Sequence, residues 1–168
     1  MQKKDDIFLY LDTDIVVLKP LPSFDFIGDK IQVYGYPSRT QNCATMCGFI
    51  TNDPYYTKHT AICSGILLFR PSLKVKNVFD EIDKMYNELI KRNKINSCWE
   101  QPTLCFKLIE HDMQTISLND YVYEERTKKS ATDLHVFNHF CGRRGETRYI
   151  EMKKYLGNSG KNAYNTPM

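Results

Sequence analysis

Ile7-Phe8-Leu9-Tyr10-Leu11 runs directly into Asp12-Thr13-Asp14, and a second apolar run, Ile15-Val16-Val17-Leu18, follows. An apolar run without polar interruption reads as a strand buried on both faces, as in the parallel sheets of α/β proteins. The two carboxylates then stand at the carboxyl end of that strand, the edge where open α/β sheets bind ligands. Oxygen donors there suit a hard divalent cation. Residues one apart on an extended strand point to opposite faces, so both carboxylates reach one ion only if the chain turns between or just after them. Pro20 and Pro22 end any strand, but they come slightly late for that turn. The plain alternative is that Asp12 and Asp14 are turn residues closing a strand.

Only Met1 to Asp6 precede this strand, whereas a parallel strand needs neighbours built from strand-helix-strand units. The expectation is an α/β chain that opens in mid-fold. Further strands are predicted over Ile31 to Tyr36, Ile62 to Phe69, Gln114 to Ser117 and His135 to Asn138. Pro37 to Thr60 lacks periodicity and has the length of a functional loop or lid. Val75, Val78, Phe79, Ile82, Met85, Tyr86, Leu89 and Ile90 recur three and four apart, which predicts an amphipathic helix. A second helix spans Gln101 to Glu110, its start fixed by Pro102, because proline is tolerated only in the first turn. A third runs from about Thr147 to Leu156. One domain is expected over residues 1–156, with a fraying polar tail over 157–168.

The chain has 168 residues, 42% of them hydrophobic and 12% aromatic, enough for a folded core. A net charge of +3 is too small to imply nucleic-acid binding. The six cysteines (Cys43, Cys47, Cys63, Cys98, Cys105, Cys141) lie among hydrophobic neighbours and are read as reduced. Cys43 and Cys47 lack the second close pair of ligands that structural zinc needs. The absence of a leader and of any apolar run near twenty residues leads to the expectation of a cytoplasmic protein without a membrane span.

Two further segments carry chemistry. In His135-Val136-Phe137-Asn138-His139-Phe140-Cys141-Gly142-Arg143-Arg144-Gly145 a strand ends in a histidine followed by glycine and arginines. Imidazole suits manganese, glycine admits phosphate close to the backbone, and arginine pairs with phosphate oxygens. A lone histidine is more often structural, so His139 needs partners to count as a ligand. Cys63-Ser64-Gly65 at a strand start and Glu100-Gln101 at a helix start pair small residues with an acid and an amide able to hold sugar hydroxyls. Ser97 and Glu100 also fit a helix capping box, but a helix capped at Ser97 would put Pro102 beyond the free amide donors.

In order along the chain these segments resemble the glycogenin-like branch, family 8, of the GT-A glycosyltransferases. Asp12-Thr13-Asp14 resembles its DxD motif, Cys63-Ser64-Gly65 its Asn-Ser-Gly strand, Glu100-Gln101 its Asp-Gln helix start, and His139-Phe140-Cys141-Gly142 its His-Phe-x-Gly segment. The matches span about Ile7 to Leu156. The resemblance implies a GT-A-like mixed sheet flanked by helices, amino-terminally truncated and lacking the half that seats the nucleotide base. It implies a retaining hexosyltransferase using a UDP-sugar, with Mn2+ (or Mg2+) held by Asp12, Asp14 and His139. Gly142 would lie against the diphosphate, with Arg143 or Arg144 in place of the family's lysine. Ser64, Gly65, Glu100 and Gln101 would line the donor-sugar pocket, with Glu100 and Gln101 steadying the transition state. The acceptor would be a protein or glycan, and a separate amino-terminal half or a second copy would be the partner.

Two other classes fit parts of the pattern. A chain of this kind could bind metal, nucleotide-sugar or glycan without turnover, as a remnant or half of a split enzyme. Asp12-Thr13-Asp14-Ile15-Val16 also fits the signature of haloacid-dehalogenase-type phosphatases, in which the first Asp is a nucleophile; the later acidic pair which that class needs has only Asn119-Asp120 as a poor substitute.

Overall fold

The computed structural model describes residues 6–38, 50–94, 100–124, 135–141 and 145–163, and shows a mixed α/β chain. It divides into two compact units, one of residues 1–11 and 23–119, the other of residues 12–22 and 120–168. Sequence reading expects one domain over most of the chain.

The first unit is built on a four-stranded sheet in the order β1-β4-β3-β5, comprising Phe8–Leu11, Ile66–Phe69, Val33–Tyr34 and Gln114–Thr115. β1 and β3 pair antiparallel with β4, and only β3 and β5 run parallel. The opening run therefore corrects an expectation: β1 pairs antiparallel and, among the described residues, lies at the sheet edge, rather than being a parallel strand covered on both faces. Phe8 and Tyr10 are 40% and 49% exposed. Aromatic residues suit a half-covered pleated surface as well as a buried one, so apolar content alone does not separate the two.

After a short helix α1 (Pro54–Thr57), helix α2 covers Leu73–Lys91. The Ser72 hydroxyl accepts from the Val75 amide at 3.1 Å, satisfying one of the first-turn donors. Val75, Val78 and Ile82 form the buried stripe that the periodicity requires, while Ile90 at the far end of the helix is exposed. Helix α3, Gln101–Glu110, begins where Pro102 places it and buries Leu104, Cys105, Leu108 and Ile109. The two helices share one core with Val33, Ala61, Ile62, Leu67 and Met113. Each fully buried aliphatic side chain of this kind contributes about 1.5–3 kcal/mol.

The second unit holds a three-stranded sheet in the order β2-β7-β6, comprising Ile15–Val17, Phe137–His139 and Val122–Glu124. β7 is central, antiparallel to β2 and parallel to β6, and its Phe137 is fully buried. Helix α4 follows over Gly145–Ala163, running beyond the Leu156 limit and through most of the expected tail. Among the described residues no helix is long and apolar enough to cross a membrane.

Candidate functional site

The carboxylate pair sits on a tight turn. The Ile15 amide donates to the Asp12 carbonyl at 3.3 Å, closing a four-residue turn between β1 and β2. The chain thus turns between the two carboxylates, well ahead of the prolines. Asp12 stays half-buried, whereas Asp14 is buried. The Phe140 amide donates to the Asp14 carbonyl at 2.9 Å, and Ile15 stands opposite His139 in the β2–β7 register. Backbone pairing therefore fixes Asp14 beside His139.

Asp14 Oδ1 lies 3.3 Å from His139 Nε2, and Oδ2 lies 3.2 Å from Arg148 Nη1 on α4. His139 is only 3% exposed. Burial works to raise the Asp14 pKa, but hydrogen bonding and charge from His139, together with the Arg148 charge, outweigh it, and the carboxyl is held below its ordinary value. At 3.3 Å the His139 contact to Asp14 Oδ1 is close but poorly aligned, so it is a weak hydrogen bond reinforced by charge. A hard divalent ion with bonds of about 2.1 Å holds adjacent octahedral donors about 3 Å apart, so the Asp14 and His139 atoms fit as neighbouring ligands.

The structure thus brings together two members of the expected metal triad. Among the described residues the three-donor groups close enough for one ion are Glu124, His139 and Cys141 in this unit, and Glu81, Glu110 and His111 in the other; neither Asp12 nor Asp14 belongs to either. Gly142, Arg143 and Arg144 lie outside the described residues, as do Cys43, Cys47, Ser97 and Cys98. Cys63, Cys105 and Cys141 are not joined in disulfides, and the Cys105 thiol donates to the Ile62 carbonyl at 3.3 Å.

In the first unit, Ser64 and Glu100 line one pocket of about 220 Å³, together with Tyr10, Leu67, Phe69, Phe79, Ile82 and Leu104. Drug-sized ligand sites span roughly 300–1,000 Å³, so this one has room only for a smaller group. Glu100 caps no helix amide with its side chain, and its carbonyl instead receives the Leu104 amide at 3.0 Å and the Thr103 hydroxyl at 2.6 Å. Its carboxylate is thus not consumed by a capping box. Gly65 is buried in the turn before β4, and the Gln101 amide donates to Ser38 Oγ at 3.0 Å, with Ser38 itself buried. Neither Gly65 nor Gln101 lines the Ser64–Glu100 pocket.

Sequence reasoning missed Glu124, Cys141 and Arg148. Cys141 follows His139 by two residues, in the turn beyond β7. Arg148 sits in the first turns of a helix whose periodicity gives no hint of Asp14. Glu124 belongs to a three-residue strand too short to carry a pattern.

The second three-donor group is a surface clasp. Lys107 Nζ lies 3.1 Å from Glu81 and 2.6 Å from Glu110, and His111 Nε2 lies 3.0 Å from Glu81. A lysine at its centre supplies the positive charge that an ion otherwise would.

No protein-family model matches the chain, and no curated protein matches it at a significant level.

Proposed function

We propose that the chain is a metal-dependent glycosyltransferase domain of GT-A type, retaining in outcome, that uses a UDP-sugar as donor. The observation that carries this reading is the Asp14–His139 pair, set by strand pairing at the end of a turn that also holds Asp12. Asp14 and His139, with Asp12 from the same turn, would hold Mn2+ or Mg2+. The ion would neutralise charge gathering on the leaving diphosphate. Arg148, whose guanidinium already meets one oxygen of Asp14, is a second cation able to pair with phosphate oxygens.

Within the first unit, Ser64 and Glu100 are the groups that the resemblance assigns to a sugar. Hydroxyl and carboxylate groups can hold sugar hydroxyls, while the aromatic and aliphatic remainder of the pocket offers an apolar surface to a sugar ring. A carboxylate close to a ring that gains oxocarbenium character stabilises it electrostatically, by analogy with sugar hydrolysis. Hydrolysis of UDP-sugars in Mn2+, followed by UDP release, tests the reading. Turnover of at least one UDP-hexose that is lost in Glu100→Gln is expected, and an absence of turnover with every donor contradicts catalysis.

One observation favours a second reading, a non-catalytic domain. Arg148 and His139 together flank the Asp14 carboxylate, and such an ion-paired cluster can be purely structural. In that case Mn2+ leaves UDP binding unchanged.

A further inference from the structure

We propose that Glu124, His139 and Cys141 form a site for a thiophilic divalent cation of the Zn2+ class, which shares His139 with the hard-ion reading of Asp12 and Asp14. The argument begins with register. Glu124 stands directly across from His139 in the parallel β6–β7 pair, and cross-strand partners present their side chains to the same face. Cys141 is two residues beyond His139, in the turn that follows β7. One donor atom from each of the three residues lies within 4.8 Å of the other two. Glu124 and His139 are buried at 7% and 3% exposure, while Cys141 is half-buried and gives an ion a way in.

The donor set decides the metal. Tetrahedral zinc, with bonds of about 2.0–2.3 Å, holds its ligands roughly 3.5 Å apart, within small side-chain adjustments of the spacing observed. Thiolate favours zinc over manganese or magnesium, which prefer all-oxygen or oxygen and imidazole sets. Three protein donors leave a fourth position for water or another ligand.

His139 links this site to Asp14. Its Nε2 faces the Asp14 carboxylate, so the zinc-class ion takes Nδ1 while Asp14 accepts the Nε2 proton. A metal-bound histidine commonly donates its second ring N–H to a carboxylate, which fixes the tautomer. Binding converts the Cys141 thiol to a thiolate and releases one proton to solvent. A proton on Nε2 also removes the lone pair that a hard ion beside Asp14 needs, so Zn2+ opposes Mn2+ binding through one imidazole. The zinc-class site itself rests on register and donor chemistry and does not depend on the glycosyltransferase reading.

Titration of the full metal-free chain with Co2+ tests the site, because a thiolate ligand gives a near-ultraviolet sulfur-to-cobalt charge-transfer band. The band is expected to saturate at one equivalent, to disappear on adding Zn2+, to be absent in Cys141→Ser and to need at least about tenfold more Co2+ in Glu124→Gln. No band in the natural chain, or an unchanged band in Cys141→Ser, overturns the site. A measurement free of any folding change in the variants is alkylation of Cys141 followed by mass spectrometry: Zn2+ is expected to slow it at least about tenfold, and an unchanged rate also overturns the site. Failure of Mn2+-dependent UDP binding with the cobalt band intact removes the glycosyltransferase reading alone; the reverse result removes this site alone.

Discussion

Asp14 and His139, near opposite ends of the chain, meet at 3.3 Å because β2 and β7 pair antiparallel with Ile15 opposite His139. The contact therefore reports whether the second unit is folded. Replacing Asp14 by Ala leaves His139 and Arg148 without the carboxylate between them. A destabilisation of about 1–3 kcal/mol is expected, the usual penalty for removing one partner of a buried polar contact. Urea unfolding followed by circular dichroism measures it, and an unchanged midpoint would mean that the pair contributes nothing to folding.

Glu100 separates chemistry from stability. Its carboxylate caps no helix amide and lines the small pocket with Ser64. Glu100→Gln should shift stability by less than about 0.5 kcal/mol, as for a surface change without a structural partner. The same variant should lower UDP-sugar turnover roughly a hundredfold, typical for loss of one electrostatic stabiliser. A large loss of thermal stability would return Glu100 to a structural role.

How much of this was legible depended on the kind of signal. α3 starts at Gln101 because Pro102 leaves little choice, and Val75, Val78 and Ile82 located α2 by their spacing. The Asp12–Ile15 turn satisfies the condition that the chain turn between the carboxylates, but no residue marked it, because the visible breakers Pro20 and Pro22 come later and a four-residue turn needs no proline. Phe8 and Tyr10 read as covered because an apolar side chain does not record whether its strand lies at a sheet edge. His139 stood out by residue type. Its neighbour Glu124 did not, since a parallel pairing between short strands leaves no local pattern.

The α2–α3 clasp should respond to pH at both ends. Hydrogen bonds from His111 and Lys107 hold the Glu81 carboxyl below its ordinary value, so its stabilising contact is present above pH 4.5 and is lost as pH falls through the lowered value. Burial works to lower the Lys107 pKa, but Glu110 and Glu81 outweigh it and raise it. That contact is present below pH 10.5 and is lost as pH rises through the raised value. The contacts are partly exposed, so the effect should be small and weakened by salt. Thermal melts of Glu81→Gln beside the natural chain should differ most between these limits and converge in strong acid. A difference that persists undiminished in strong acid would contradict the assignment.

Leu108 sits fully buried in the core that α2 and α3 share. Leu108→Ala should cost about 2–5 kcal/mol through lost burial and the cavity left behind. A denaturant titration showing less than about 1 kcal/mol would mean that this helix face is not packed as described.

The metal-dependent reading of Asp14 and His139 is tested most directly by calorimetry of UDP binding with and without Mn2+. The account predicts UDP binding that requires Mn2+ and is abolished in Asp14→Ala and in His139→Ala. UDP binding that is absent, indifferent to Mn2+, or unchanged in Asp14→Ala would contradict it.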